Sequence, residues 1–268
     1  MKKLIALLLV LVMAVSLVAC AQTGDQTDTT AGQTEDTDAA YVAKQGKLIV
    51  GITEYAPMDF KDENGEWTGF DAELAEMFAE ELDVECEFFV IGDWSKKFFE
   101  LDAKNIDCVW NGMTITEEAT SNASVSDPYV INAQVVVMPA DKVSQYPDAA
   151  SMKDLTFAVE EGSAGQDMAE ENNFKTVSKQ DQAGALMEVA AGTSDACIID
   201  ITMAKAMTGE GTDYADLAES ISLSSEEYGV AFRKGSDLTA KLNAFLDKLA
   251  QDGTLDQLAK KYNLTLAE

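Results

Sequence analysis

Residues 107–118, Asp-Cys-Val-Trp-Asn-Gly-Met-Thr-Ile-Thr-Glu-Glu, hold the densest set of groups able to grip a small molecule. An apolar strand runs into Asn111-Gly112, and Thr114 and Thr116 then open an acidic helical turn. A strand that ends in a glycine turn at a helix start presents backbone N–H groups without partners, a seat for an anion. Ser163, in Gly162-Ser163-Ala164-Gly165, opens a second donor seat of the same kind. Asp200 closes the apolar run 196–199. An aspartate there is either a turn former or a site carboxylate at the end of a strand.

Other chemistry is excluded by composition. The chain has no histidine, which removes imidazole general bases, Ser-His nucleophiles and the usual zinc ligand sets. Its single arginine is Arg233. A net charge of −29 disfavours nucleic acid and anionic membrane surfaces, which select basic patches. Beyond Cys20, the cysteines Cys86, Cys108 and Cys197 each sit in an apolar run, and no C-x-x-C occurs. Buried free thiols are expected, with a Cys86–Cys108 pair left open because both fall in one half. Residues 60–71 faintly resemble a calcium loop, but Phe60 would be its first ligand, and Asn64-Gly65 is a strong hairpin signal. Neither a metal nor a cofactor is expected.

The elements that must hold these groups alternate in type. Strands are expected at 47–51, 84–90 and 108–110, with helices at 71–82, capped by Asp71, and at 95–102. The pattern restarts with strands at 133–138, 155–159, 196–199 and 228–232. Helices follow Gly165 and span 181–191, and two more close the chain on either side of Gly253. Alternation of this kind describes two α/β halves with parallel sheets. Ligands of open α/β sheets bind beyond the carboxyl ends of the strands, so Asn111–Thr114 from one half and Asp200 from the other would face a shared cleft.

Ahead of these halves lie two segments of another character. Lys2 and Lys3 precede an apolar run from Leu4 to Ala19, an export signal too short for a comfortable membrane span, with an uncleaved anchor helix as the alternative. Residues 21–45 carry few large apolar side chains and are expected to form a flexible tether.

Several motifs resemble the family-3 bacterial solute-binding proteins, the polar amino-acid receptors of ABC importers. They are GITEYAPMDFKDENGEWTGFDAELA at 51–75, GMTIT at 112–116, SDPY at 126–129, EGSAG at 161–165, SDACIID at 194–200 and GVAFRKGSDL at 229–238. Their order and spacing match over residues 46–265. The resemblance implies an α/β, two-lobed periplasmic-binding-protein-like fold (type II) with two crossing strands near 133–138 and 228–232. Lobe 1 would comprise 46–135 and 229–268, and lobe 2 136–228. The lobes would close on a small-molecule ligand by a hinge, and the closed form would dock on a membrane permease. Leu17-Val18-Ala19-Cys20 resembles a lipoprotein signal, implying a monomeric, exported protein held at the outer face of the cell membrane by a lipid on Cys20.

The same resemblance assigns roles. Tyr55 would stack on the ligand, unless it is a core aromatic. Trp110 either faces the ligand or wedges between sheet and helix, and Trp94 matches a tryptophan that is often structural. Gly112, Met113 and Thr114 would bind a carboxylate through backbone N–H groups and a hydroxyl, with Asn111 beside them and Ser163 opposite. Asp200 would take the ligand ammonium. Glu160, and more weakly Glu54, add acid to the site, Glu160 where the family often has an apolar residue. Two positions depart from the pattern: Ala119 replaces the arginine that clamps the substrate carboxylate, and Ala164 replaces a hydroxyl-bearing contact. Arg233, placed after a hinge strand and toward the surface, is no substitute. The expected cleft suits a cation: a basic amino acid, an amine, or a derivative with a masked carboxylate. The alternative is an ordinary amino acid held by backbone N–H groups alone, short of a charge-assisted bond of roughly 1.5–3 kcal/mol.

A receptor is the leading expectation. The same fold hosts a dehydratase acting on prephenate-like diacids, a substrate that a cleft without arginine suits poorly, though Asp200 or Glu160 could act as acid or base. A sensor domain would need a membrane helix and a further domain.

Overall fold

A computed structural model describes residues 37–268. The export signal, Cys20 and residues 21–36 of the expected tether lie outside the described residues. Residues 38–45 are not tether: they form α1 (Asp38–Gln45), capped by Thr37, whose side chain accepts the Ala40 N–H at 3.2 Å, and closed by Gly46 at φ 73°. Two anchors in a polar stretch account for the difference. Val42 is buried, and Arg233 holds Asp38 at 3.0 Å.

The first half runs β1 (Lys47–Ile52), β2 (Phe60–Lys61), β3 (Trp67–Thr68), α2 (Phe70–Glu81), β4 (Glu85–Val90), α3 (Lys97–Asp102), β5 (Cys108–Val109), α4 (Glu117–Asn122) and β6 (Ser124–Val125). Then come β7 (Val130–Asn132), β8 (Gln134–Pro139), β9 (Thr156–Glu160), α5 (Ala164–Glu171), β10 (Lys175–Lys179), α6 (Gln182–Ala190), β11 (Ala196–Asp200), α7 (Ile201–Met207) and β12 (Leu217–Ser222). The chain closes with β13 (Glu226–Tyr228), β14 (Ala231–Phe232), α8 (Leu238–Asp252) and α9 (Thr254–Lys261).

Two five-stranded sheets result, ordered β4-β1-β5-β14-β6 and β10-β9-β11-β8-β12. In each, the leading strands are parallel and covered by helices, as alternating βα units require. Because β14 joins the first sheet, that lobe draws on both parts of the chain.

The crossing strands differ from expectation. The run at 133–138 lies inside the second sheet as β8, buried along nearly its whole length between β11 and β12, and β14 belongs to the first. A strand apolar on both faces suits a sheet interior, not an exposed link. The link is β7 paired antiparallel with β13, and the C-terminal segment adds to it through Ile131 N–H to Thr265 O at 2.9 Å and Ala267 N–H to Tyr129 O at 3.1 Å.

Within 60–71, residues 60–68 form the hairpin β2–β3 and Phe70 begins α2, with the Asp62 carboxylate accepting the Asn64 and Glu66 N–H groups at 2.8 and 2.9 Å. Strand β1 separates Cys86 from Cys108, so these two cannot bridge. All three cysteines are free thiols, and burial pushes each above the ordinary thiol range, Cys86 to about 12.

Candidate ligand-binding cleft

The carboxyl ends of β5, β9 and β11 converge with the starts of α3 and α5 on a cleft holding about 480 Å³ of space, part of it open to solvent. Its aromatic walls are Tyr55 and Trp94. Tyr55 is locked by hydrogen bonds that its hydroxyl shares with Thr202 Oγ1 at 2.6 Å and with the Tyr228 hydroxyl. Gly112 lies directly beneath that ring. At φ 53°, with an added Cβ falling 2.6 Å from Tyr55 Cε1, the position has room only for glycine.

Asp200 forms the floor, buried to 3% exposure. Its carboxylate accepts from the Gln134 side chain at 2.6 Å and from Asn132 and Gln182, and Gln182 Oε1 takes the Asp200 N–H at 2.9 Å. Asn132 and Gln134 each also donate to Glu226 Oε1 at 2.7 Å. Burial, and then the Glu226 charge, raise Asp200 to about 7 against the pull of these donors. Glu160 beside it is equally buried, and among the described residues its Oε1 has no partner. Burial, followed by the Asp200 charge, holds it well above the usual carboxylate range.

The far wall carries one cation. Lys97, 4% exposed, donates from Nζ to Gly162 O at 3.0 Å, lies 3.7 Å from Glu118 Oε2 and packs over the Trp94 and Phe98 rings. Gly162 is drawn close to the first lobe, an added Cβ there falling 2.7 Å from Ser95 Cα. Among the described residues no group of three acidic, histidine or cysteine side chains is arranged to hold a metal.

A cleft between two sheets, walled by aromatics and floored by a buried aspartate, has its counterpart among known proteins. The profile of the bacterial extracellular solute-binding proteins, family 3, matches residues 48–265. The chain belongs to that family. It is 31% identical over 245 residues to a probable histidine-binding protein of Neisseria gonorrhoeae, covering 86% of this chain and 88% of that one. A variant of ArgBP from T. maritima superimposes with a TM-score of 0.78 at 32% identity, over 84% of this chain and 98% of that one. An ancestral amino acid-binding protein, a precursor of cyclohexadienyl dehydratase, does so with a TM-score of 0.76 at 31% identity, over 84% and 98%. This chain is therefore a solute-binding receptor of type II fold, of an exported class that serves amino-acid ABC transport.

Within this family member, the expected site residues are distributed unevenly. Tyr55, Asn111, Gly112, Met113, Thr114, Glu160, Ser163 and Asp200 all border the cleft. Several have spent their polar groups elsewhere. The Gly112 N–H goes to Asp71 Oδ2 at 2.6 Å, the Thr114 hydroxyl to Glu226 at 2.8 Å, and the Ser163 hydroxyl to Glu160 O at 2.9 Å. The Asn111 amide ties Thr53 to Asp59, accepting the Thr53 N–H at 3.0 Å and donating to Asp59 at 2.7 Å.

Trp110 is a correction. It is fully buried, packs edge-on against Phe78 at 6.2 Å and does not border the cleft, because its side chain falls on the helix-covered face of the sheet. Trp94 takes the aromatic place instead. Glu54 is exposed outside the cleft. Arg233 does not point to the surface: it is 8% exposed, bound to Asp38, to Asp107 at 2.9 Å and to Ile106 O at 2.8 Å.

Sequence reasoning missed Lys97, Gln134 and Gln182. Lys97 carried one available signal, a lysine one helical turn beyond Trp94, on the face that bears Leu101. The glutamines carried none, since only the crossing of β8 and α6 brings them to Asp200.

Proposed function

We propose that this receptor captures an amino acid or related amine-bearing small molecule, seats its ammonium on Asp200 between Tyr55 and Trp94, and delivers it to a membrane permease. In this reading it works as a monomer held to the outer face of the membrane through a lipid on Cys20. The observation that carries the proposal is the pair of buried carboxylates at the cleft floor. Asp200 is fixed by three amide side chains, and Glu160 keeps one oxygen free to accept from a ligand. A buried, immobile carboxylate is an efficient seat for an ammonium, because the hydrogen bond is charge-assisted and the acceptor needs no reordering. The names of relatives support the class: one is an arginine-binding extracellular protein of Bacillus subtilis, another a lysine/arginine/ornithine-binding periplasmic protein of Escherichia coli.

The test is calorimetric titration with the twenty standard amino acids, their amides and simple amines, on the native chain and on Asp200→Asn. The variant should lose about 10- to 100-fold in affinity for whatever binds. Unchanged affinity moves the amine seat away from Asp200. Two adjacent protonatable carboxylates also favour a second reading, acid–base turnover of the bound molecule. Recovery of the ligand unaltered after prolonged incubation argues for the receptor, and a product argues for the enzyme.

A further inference from the structure

We infer that Lys97 is the anion anchor of the cleft: its ammonium, supplied by α3, takes the carboxylate of a zwitterionic ligand whose amine sits on Asp200. The ligand is then an amino acid with a free carboxylate, not a simple amine or an amide. This rests on the preceding reading of Asp200 and narrows it.

The argument begins with unspent donors. A lysine ammonium has three hydrogens, and among the described residues the only hydrogen bond Lys97 makes from Nζ is to Gly162 O. Its approach to Glu118 is an ion pair at 3.7 Å, not a hydrogen bond. Around it the cleft presents further donors. The Thr114 amide has no acceptor among the described residues, and Ala164, the first residue of α5, has the unpaired N–H that every helix start leaves. Lys97, Thr114 and Ala164 all border the same cleft. Donors gathered without acceptors select an acceptor, and a carboxylate satisfies several at once.

Lys97 enters the cleft from the start of α3 in the first lobe, and Asp200 from the carboxyl end of β11 in the second. The hydrogen bonds that hold them are separate, Lys97 on Gly162 O and Asp200 on Asn132, Gln134 and Gln182. A ligand bearing an amine at one end and a carboxylate at the other meets opposite charges at both. Glu118 and Asp167 are exposed at the rim, where water weakens their competition for the ammonium. Ala119 packs behind this wall in one cluster with Trp94, Phe98 and Met113, so the space an arginine side chain would cross is apolar, and the lysine reaches the cleft from the neighbouring helix.

The experiment compares each standard amino acid with its C-terminal amide by calorimetry, on the native chain and on Lys97→Met, which keeps the apolar stem between Trp94 and Phe98. The native chain should prefer the acid about 10- to 100-fold, and Lys97→Met should abolish that preference by weakening the acid far more than the amide. The melting temperature of ligand-free Lys97→Met shows whether the variant is folded. The acid-over-amide preference of the native chain is a second measurement that needs no variant. Equal binding of acid and amide by the native chain, or a preference that survives in Lys97→Met, overturns the anchor and leaves the Asp200 reading standing. Loss of binding to neither species in Asp200→Asn, or a panel on which nothing binds, overturns the parent reading as well.

Discussion

Binding to this cleft should be coupled to release of a proton. Asp200 is raised to about 7 by burial and by Glu226. An ammonium placed against it stabilises the charged form, so the ligand must expel whatever proton Asp200 holds. With a value near 7 before binding and an ordinary carboxylate value after it, affinity should be level above about pH 8 and fall about tenfold per pH unit well below 7. Between about pH 8 and 5.5 the loss is about 30-fold, or ~2 kcal/mol. Glu160, pushed up by burial and by Asp200, adds to the fall wherever a ligand donor reaches it. The assay is calorimetric titration in two buffers of different ionisation enthalpy. Near pH 6 about 0.9 proton should leave per ligand bound, and Asp200→Asn should remove most of that release. Affinity constant within about twofold from pH 5.5 to 8, with no proton released, would refute the reasoning, since it would mean that the ligand never touches a protonatable Asp200.

The ligand-free fold should be more stable in mild acid than in mild base. Asp71, like Asp200, is raised from 3.8 to about 7, chiefly by burial, and the stability contributed by its bound proton is complete below about pH 4 and lost as pH rises through 7. Melting curves at about pH 5.5 and 8 check this, and a melting temperature that falls toward acid within that window contradicts it. Gly112→Ala sets a Cβ 2.6 Å from the Tyr55 ring at a positive φ, and should destabilise by about 1–3 kcal/mol and weaken ligand binding together. An unchanged melting temperature would show that the loop has slack. Asp38→Ala leaves Arg233 its bond to Asp107 but unclasps α1. It should cost about 1–2 kcal/mol and speed proteolysis ahead of Gly46, whereas equal cleavage rates would deny the helix a structural part.

Most of the architecture was legible because each element carries its own period. The helices α2, α6 and α8 and the strands β1, β9 and β11 are found within a residue or two of where apolar spacing placed them. The link between the lobes was misplaced because β7 and β13 are only three residues each and mark themselves by no pattern. The long apolar β8 beside them looked like the bridge and is a central strand. Helix α1 was hidden for a related reason. A buried Val42, a clasped Asp38 and the Ala39 N–H on Asp237 Oδ1 hold it, and none of these departs from the composition of a tether. At the site, Asp200 and Thr114 were readable from strand ends. Trp110 was open between ligand and core and Trp94 was expected to be structural; the structure puts Trp110 in the core and Trp94, on the turn before α3, at the cleft, a placement no local pattern carries.

The polar net around Asp200 ties the cleft to the ribbon that joins the lobes. Asn132 lies on β7 and Glu226 on β13, the two paired ribbon strands, and Gln134 begins β8 immediately after. Asn132 and Gln134 each divide their donors between Asp200 and Glu226, and Thr114 from the first lobe donates to Glu226 as well. Two carboxylates sharing one set of donors repel when both are charged, and the proton retained by Asp200 relieves that repulsion in the ligand-free chain. An ammonium on Asp200 relieves it in the proton's place. The ligand's charge therefore acts at the very residues that set the relation between the lobes, and a neutral ligand of the same shape would leave that balance to the proton alone.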